Sequence, residues 1–198
     1  LTTPVGKIVH PGEYKLDRDS RGESKTLDAF KKIGEKNIIL ALLQDSTNAE
    51  KTGYSVPERE VHKNIEHLFK KAEGRIILAT FASLLDRLYE IIKIAEKMNK
   101  VVALSGYSMK SNIQIAQNLG YMKIKSGVII TIEDAHRYPD NKLLVLCTGA
   151  QGESNASLMR IVNGEHRQIR IKPGDMVLFS SSIIPGNERG VQMLKDNL

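Results

Sequence analysis

Short aliphatic runs alternate with longer segments of helical periodicity along most of this chain. The aliphatic runs lie at 37–43, 75–79, 101–104, 143–147 and 176–179. Each run has the length and composition of a β-strand. The run at 37–43 is nearly all aliphatic, which predicts a strand buried on both faces. Helical spacing is clearest at 84–98, where Leu84, Leu88 and Ile91 fall on one face.

Further elements complete the alternation. Helices are predicted at 27–33, at 55–72, from the end of a loop at 105–112 to about Gly120, and at 189–197, and the first of them is expected to end at Gly34. Shorter or weaker strands are predicted at 6–10, at 128–132 and at 167–171, where apolar and charged residues alternate. Strands and helices in this order predict an α/β fold, in which a parallel-rich sheet has helices on both faces.

Loops of small polar residues follow five of the predicted strands. They lie at 45–48, 80–83, 105–112, 148–154 and 180–188. The carboxyl ends of parallel strands meet at one edge of a sheet, so we expect all five loops to form one rim. Hydroxyl groups, amides and glycine backbone suit the phosphates and sugars of a nucleic acid. The Gly-x-x-Gly at Gly149 to Gly152 is a weak motif, and taken alone it is better explained by a simple strand-to-helix turn; its weight comes from the related loops along the chain.

Charge favours a polyanionic partner without requiring one. The chain of 198 residues has 29 Lys and Arg against 23 Asp and Glu, a formal net charge of +6. Surface lysines that only maintain solubility are an equally good explanation. The single cysteine, Cys147, excludes an internal disulfide framework, and its apolar run predicts core packing. The sequence has no leader-like segment and no apolar stretch of membrane length, so we expect a protein that does not enter a membrane. Together with the single cysteine, this predicts a cytoplasmic protein.

Candidate catalytic chemistry is sparse. Asp45 directly follows a strand, a common place for a functional carboxylate, although an Asx-turn or a helix cap would also explain it. The five histidines form no His-x-His or His-Glu-x-x-His motif. His10 alone lies close in sequence to plausible metal carboxylates, Glu13 and Asp17. A metal site built only from these residues is the minority interpretation.

Four motifs resemble a known protein family. They are QDSTNAE at 44–50, GRIILATFAS at 74–83, CTGAQGE at 147–153 and SSSIIPGNE at 180–188. Together they closely resemble the ribonuclease J family, which belongs to the beta-CASP branch of the metallo-beta-lactamase fold. The similarity runs nearly from end to end of the chain. The resemblance implies that residues 1–48 are the C-terminal end of the first metallo-beta-lactamase segment. Residues 49–198 would then be the beta-CASP domain, truncated at its C-terminus.

The same resemblance implies a two-zinc site that activates water for attack on an RNA phosphodiester. Asp45 matches the acidic residue of the first beta-CASP motif and is expected to support catalysis. The stretch from Pro11 to Glu13 resembles a Thr-Gly-Asp motif whose Asp bridges the metals. Glu13 is one methylene longer than that Asp, which argues against equally tight bridging. The main ligand motifs would lie before Leu1 and after Leu198, so we expect the fragment alone not to complete the metal centre and not to cleave RNA.

Our primary hypothesis is that this chain is the substrate-clamping part of a zinc-dependent ribonuclease. The parent would act in RNA processing and decay as a 5′–3′ exonuclease, an endonuclease or both, and a homo-oligomer is compatible with it. Residues expected to contact RNA are Ser108, Thr148, Gly149, Gln151, Ser181 and Asn187. The alternative hypothesis is a non-catalytic α/β module that binds a phosphate ligand or a protein.

Overall fold

A computed structural model describes residues 1–17 and 22–198, which form two compact units, 1–63 and 64–198. Residues 18–21, part of a polar loop expected at 18–26, lie outside the described residues. One helix, Glu58–Lys71, runs across the division between the units. Each unit has a sheet of its own, so each is described separately.

The first unit contains a three-stranded sheet in the order β1-β2-β3. The elements are β1 (Thr2–Thr3), β2 (Gly6–Val9), α1 (Lys25–Lys36), β3 (Ile39–Leu42) and the start of α2 (Glu58–Lys71). Strands β1 and β2 pair antiparallel, and β2 pairs parallel with β3. The prediction that Gly34 ends the first helix was wrong, because α1 continues past it to Lys36.

The prediction of a doubly buried strand at 37–43 was also wrong. Within this unit β3 pairs only with β2 and forms an edge of the small sheet. Its residues Leu40 and Leu42 are 50% and 51% exposed. Aliphatic composition predicted the strand correctly, but burial depends on which elements cover a strand, and composition does not contain that information.

The second unit contains a five-stranded, all-parallel sheet in the order β6-β5-β7-β4-β8. Its strands are β4 (Ile76–Ala79), β5 (Val101–Ser105), β6 (Ile129–Ile130), β7 (Leu143–Cys147) and β8 (Met176–Phe179). Its helices are α3 (Leu85–Lys97), α4 (Tyr107–Asn118), α5 (Ser157–Val162) and α6 (Glu188–Asp196), with 3-10 helices at Ile132–Arg137 and Asp140–Lys142.

The core of this unit covers both faces of the sheet. Every residue of β4 and β7 is buried, although successive side chains point to opposite faces. One cluster joins alternate strand residues, such as Ile77 and Val145, to Leu158 of α5 and Leu194 of α6. Helix α3 contacts β5 and buries an apolar face of its own. The predicted α/β class with a parallel sheet flanked by helices is confirmed.

The strand predicted at 167–171 was wrong, because its backbone is held by side chains instead of a neighbouring strand. The carbonyl of Arg170 accepts a hydrogen bond from Nη2 of Arg75 at 2.6 Å. The backbone N–H groups of Gln168 and Ile169 donate to Nδ1 of His166 at 3.3 Å and 3.2 Å. A binary pattern of apolar and polar residues cannot distinguish such a side-chain-supported segment from a strand.

Across residues 1–17 and 22–198, none of the helices is both long enough and apolar enough to cross a membrane.

Candidate nucleic-acid interface

Four strand-end loops lie along the same edge of the parallel sheet. Because β4, β5, β7 and β8 are parallel, the loops that follow them leave from one side. The loops also bond to one another. Oγ1 of Thr80 donates to the carbonyl of Ser180 at 3.0 Å, and the N–H of Thr148 donates to the carbonyl of Ser105 at 3.4 Å. We call this edge, formed by loops 80–83, 105–108, 148–156 and 180–187, the polar rim.

The prediction that a fifth loop joins the same rim was wrong. Residues 45–48 follow β3, which belongs to the separate three-stranded sheet of the first unit. The prediction assumed that every strand belongs to one sheet, whereas the structure has two.

Gln151 connects two loops of the polar rim. Its side chain is 4% exposed. The amide Nε2 donates to the carbonyl of Ser182 at 2.9 Å and to Oγ of Ser181 at 3.2 Å. The amide oxygen accepts from the N–H of Ile184 at 2.9 Å and from Nδ2 of Asn187 at 3.3 Å. Both ends of this amide are therefore used within the protein, and a direct contact between the Gln151 side chain and RNA does not fit this arrangement.

Two glycines allow the 148–156 loop its shape. Gly149 has a φ of +108°, and a Cβ there would lie 2.8 Å from the Cβ of Ala156. Gly152 has a φ of +75°, and a Cβ there would lie 2.3 Å from the carbonyl carbon of Gly190 in α6. Both the backbone conformation and the close approach require glycine. The 148–156 loop therefore packs closely against α6 at Gly190.

The other predicted contact residues differ in accessibility. Ser108, at the start of α4, is exposed, whereas Thr148, Ser181 and Asn187 are partly exposed. Gly149 is buried, so a ligand would have to contact the residues around Gly149 before it could come near the Gly149 backbone. All five lie on the polar rim, together with Gln151. The structure thus brings together the whole set of residues predicted to contact RNA.

A buried hydrogen-bond chain supports one end of the rim. Oγ of Ser105 lies 3.1 Å from Oγ of Ser157 and 2.9 Å from Nε2 of His166. Because Nδ1 of His166 accepts two backbone N–H groups, the ring proton lies on Nε2, which donates to Ser105. The serine is therefore a hydrogen-bond acceptor here and is not activated as a nucleophile. Burial, with smaller contributions from Arg160 and Lys110, lowers the pKa of His166.

These buried groups were not singled out from the sequence. Along the chain, Ser105 lies 52 positions from Ser157 and 61 positions from His166. The available signal was the placement of Ser105 at the end of a buried strand, which is not specific. Cys147, in contrast, is buried in the core as predicted, and burial raises its pKa to about 12.

In the first unit, His10, Glu13 and Asp45 line one open pocket of about 600 Å³. Oδ1 of Asp45 accepts from the N–H of Thr47 at 2.9 Å and from its Oγ1 at 2.7 Å. These two hydrogen bonds, the backbone one first, lower the pKa of Asp45 and keep the carboxylate charged. The Asx-turn that the sequence allows for Asp45 is therefore present.

The residues of this pocket do not form a metal site. Within the part of the chain that the structure describes, no group of three or more His, Cys, Asp or Glu side chains is placed to hold an ion. Nδ1 of His10 accepts the N–H of Gly12 at 3.1 Å, which leaves the ring proton on Nε2. Neither ring nitrogen has a free lone pair in that state. Among the described residues, Glu13 and Asp45 are the carboxylates that line the pocket, and two carboxylates alone do not complete a zinc site.

Comparison with known proteins identifies the family. Residues 73–198 match the family model described as "Ribonuclease J, beta-CASP domain". A protein named Ribonuclease J from Synechocystis is 42% identical over 199 aligned positions that cover all of this chain and 31% of that protein. One from Mycoplasma genitalium is 39% identical over the whole chain and 35% of its own length. One from Helicobacter pylori is 40% identical over 96% of this chain and 28% of its own length.

This chain therefore spans about a third of the length of these relatives. The family match covers most of the second unit, including all five strands of the parallel sheet and the polar rim. The chain belongs to the ribonuclease J family, and its residues 73–198 match the beta-CASP domain of that family.

Proposed function

We propose that this chain holds the RNA substrate of a metal-dependent ribonuclease that trims RNA from its 5′ end, cuts it internally, or does both. The observation that carries this proposal is the polar rim, where four loops rich in Ser, Thr and Gly meet at one edge of a rigid parallel sheet. Such groups position a sugar-phosphate backbone without reading its sequence. Membership of a family of ribonucleases supports RNA as the ligand.

Within the rim, Ser108, Thr148, Ser181 and Asn187 present partly or fully exposed polar groups to the backbone of the RNA. Gly149 is buried, and we assign its backbone the part of shaping the 148–156 loop for the other contact residues. We assign Gln151 an indirect part, in which it holds the 181–187 loop in place for the other residues. Rigid positioning matters because a hydrogen bond is strong only over a narrow range of distance and angle.

For the first unit we propose a supporting role close to the reaction centre. Asp45 would orient groups at the active site, and Glu13 would stand near the metals in place of the family's bridging Asp. Zinc is the metal that we expect in the whole protein. The present residues do not form a site for it, so no step of the hydrolysis is assigned to them. We also propose a domain division near residue 48 and a cytoplasmic setting, and we expect the 198-residue chain alone not to cleave RNA.

The proposal is tested by RNA binding to the 198-residue chain, measured by fluorescence anisotropy with a labelled single-stranded oligoribonucleotide. A Thr148→Val and Ser181→Ala double variant should bind about tenfold more weakly, since each hydrogen bond removed contributes about 0.5–1.5 kcal/mol. The matched control is Ser126→Ala, which removes an exposed hydroxyl that precedes β6 and so lies at the opposite edge of the sheet. Equal affinity of the double variant and the control would contradict the proposal.

A salt titration of the same binding separates RNA from an apolar protein partner. RNA affinity should fall steeply with salt, by about 0.7 logarithmic units per tenfold rise in salt for each phosphate bound on a single strand. Docking of a protein through apolar surface should change little. A flat salt response would favour the alternative of a protein-binding module.

A further inference from the structure

A second pocket of the beta-CASP domain, of about 520 Å³, lies beside the polar rim, and several of its lining residues are charged. Its lining includes Tyr107 and Lys110 of α4, Glu133 of the 3-10 helix, Arg160 of α5, and His166 and Arg167. The volume falls in the range of about 300–1,000 Å³ that is typical of small-ligand sites. We call it the basic pocket.

Positive charge in the basic pocket is not neutralised by the protein. Lys110, Arg160 and Arg167 are exposed, and none of them forms an ion pair with an acidic side chain in residues 1–17 or 22–198. Most other lysines with partners on this unit, such as Lys93 and Lys97, pair with a glutamate. Among the residues that the structure describes, Glu133 is the one acid in the lining. Three cations against one acid give the pocket a net positive charge.

His166, which is only 6% exposed, forms part of the pocket lining. After burial, Arg160 and then Lys110 lower its pKa, and Glu133 opposes them more weakly. Lys110 and Arg160 belong to two different helices and line the same pocket as His166. The hydrogen bonds of His166 also require a neutral ring. This part of the pocket lining is therefore uncharged, and hydrogen bonds within the protein hold it in place.

An aromatic ring stands at the mouth of the pocket. Tyr107 is 89% exposed, and its ring makes no aromatic or cation contact within the described part of the chain. Exposing a tyrosine ring to water in this way gives the fold no stability. A free aromatic face beside cationic side chains is the combination on which single-stranded nucleic acids stack a base while a neighbouring phosphate is neutralised.

We propose that the basic pocket binds one nucleoside phosphate, with the phosphate between Lys110, Arg160 and Arg167 and the base against the ring of Tyr107. The unit is either one nucleotide of the RNA strand held by the rim or a free mononucleotide. In the first case the inference rests on the proposed function, and it adds a charged stacking site to a rim that otherwise offers hydroxyls and amides. No covalent step is involved.

The test uses the 198-residue chain with two probes, a labelled 12-mer oligoadenylate followed by anisotropy and AMP followed by calorimetry. The variants are Lys110→Gln with Arg160→Gln, Tyr107→Ala, and Tyr107→Phe, which keeps the ring. The matched control is Lys70→Gln with Lys97→Gln, which also removes two positive charges. Both control lysines pair with Glu66, away from the pocket lining. All these side chains are exposed, so the variants should fold.

If the pocket holds a nucleotide of the RNA, the charge variant and Tyr107→Ala should each bind oligoadenylate about tenfold more weakly than the control. Tyr107→Phe should bind as the unchanged protein does. The slope of the salt dependence of the charge variant should also be smaller, by about 0.7 for each phosphate that it no longer binds. If the ligand is a free nucleotide, oligoadenylate binding should stay the same while AMP binding disappears in these two variants.

The inference is overturned if the variants match the control for both probes. In that case RNA binding by the unchanged chain would still support the proposed function. Absence of RNA binding by the unchanged chain would instead contradict the proposed function, and pocket-dependent AMP binding would still support the inference.

Discussion

Gln151→Glu is the substitution that tests most directly how the polar rim is held together. It keeps the size and shape of the side chain and replaces only the donating Nε2 by an oxygen. Oγ of Ser181 can turn and donate to that oxygen. The carbonyl of Ser182, at 2.9 Å from Nε2, cannot donate and would face another oxygen. The acceptor bonds from Ile184 and Asn187 would be retained.

The expected cost follows from those contacts. A buried acceptor left without its donor costs about 1–3 kcal/mol, and the site is only 4% exposed in the native protein. Taking about 2 kcal/mol, the melting temperature should fall by about 4–8 °C for a domain of this size. Hydrogen exchange at the N–H of Ile184 should quicken as the 181–187 loop loosens, and RNA binding should weaken.

The destabilisation should also depend on pH. Burial and the facing carbonyl raise the pKa of the new carboxyl in the folded state above its unfolded value of about 4.3. The deficit is therefore present at neutral pH and shrinks as the pH falls, because the protonated carboxyl can donate to Ser182 again. The matched control is Gln114→Glu on α4, an exposed side chain that donates to Asn118 at 3.0 Å. A Gln151→Glu variant as stable as this control at pH 7, or a deficit that grows with acid, would refute this account of the rim.

Three further predictions concern buried groups. Arg75 and Asp175 form a bidentate pair whose side chains are only 7% and 2% exposed. Asp175→Ala leaves Arg75 buried without its partner, so it should lower the free energy of unfolding by about 3–5 kcal/mol in a urea titration. A decrease of less than about 1 kcal/mol would contradict this. The pKa of His166 is lowered in the folded state, so the unfolded chain binds the proton first as the pH falls. The free energy of unfolding should therefore be highest above about pH 6.5 and should decline as the pH falls towards the folded pKa of His166. A His166→Gln variant that shows the same decline would argue against that assignment. Burial raises the pKa of Cys147 to about 12, so a thiol reagent at about pH 8 should modify it only after unfolding, and fast labelling of the native protein would count against this.

The unit that holds the polar rim could be predicted from the chain in considerable detail. The bounds predicted for strands β4, β5, β7 and β8 agree with the structure within one residue. Each of these strands is a continuous apolar run, which can be recognised from adjacent residues alone. The prediction agrees with the structure because both faces of this sheet are covered, so every residue of β4 and β7 is buried. Placing Thr148, Ser181 and Asn187 on one edge then followed from the parallel arrangement alone.

The details of the site could not be predicted in the same way. The sequence predicts that Gln151 contacts RNA. It does not show that the amide of Gln151 also bonds to Ser182 and Ile184, which lie 31 and 33 positions away. Likewise, the basic pocket collects Lys110, Arg160 and Arg167 from separate elements. The sequence shows that arginines are present, but it does not show which of them have no acidic partner.

The sequence by itself determined the family, the alternation of strands and helices and the burial of Cys147, because each rests on residues adjacent along the chain. Only the tertiary structure decided that Asp45 and Thr148 lie on different sheets, that β3 is an exposed edge and that the segment after His166 is not a strand. The physical reason is the same in each case. Hydrogen bonds and burial depend on distant partners, such as Arg75 with Asp175 at a separation of 100 positions, and no local pattern specifies them.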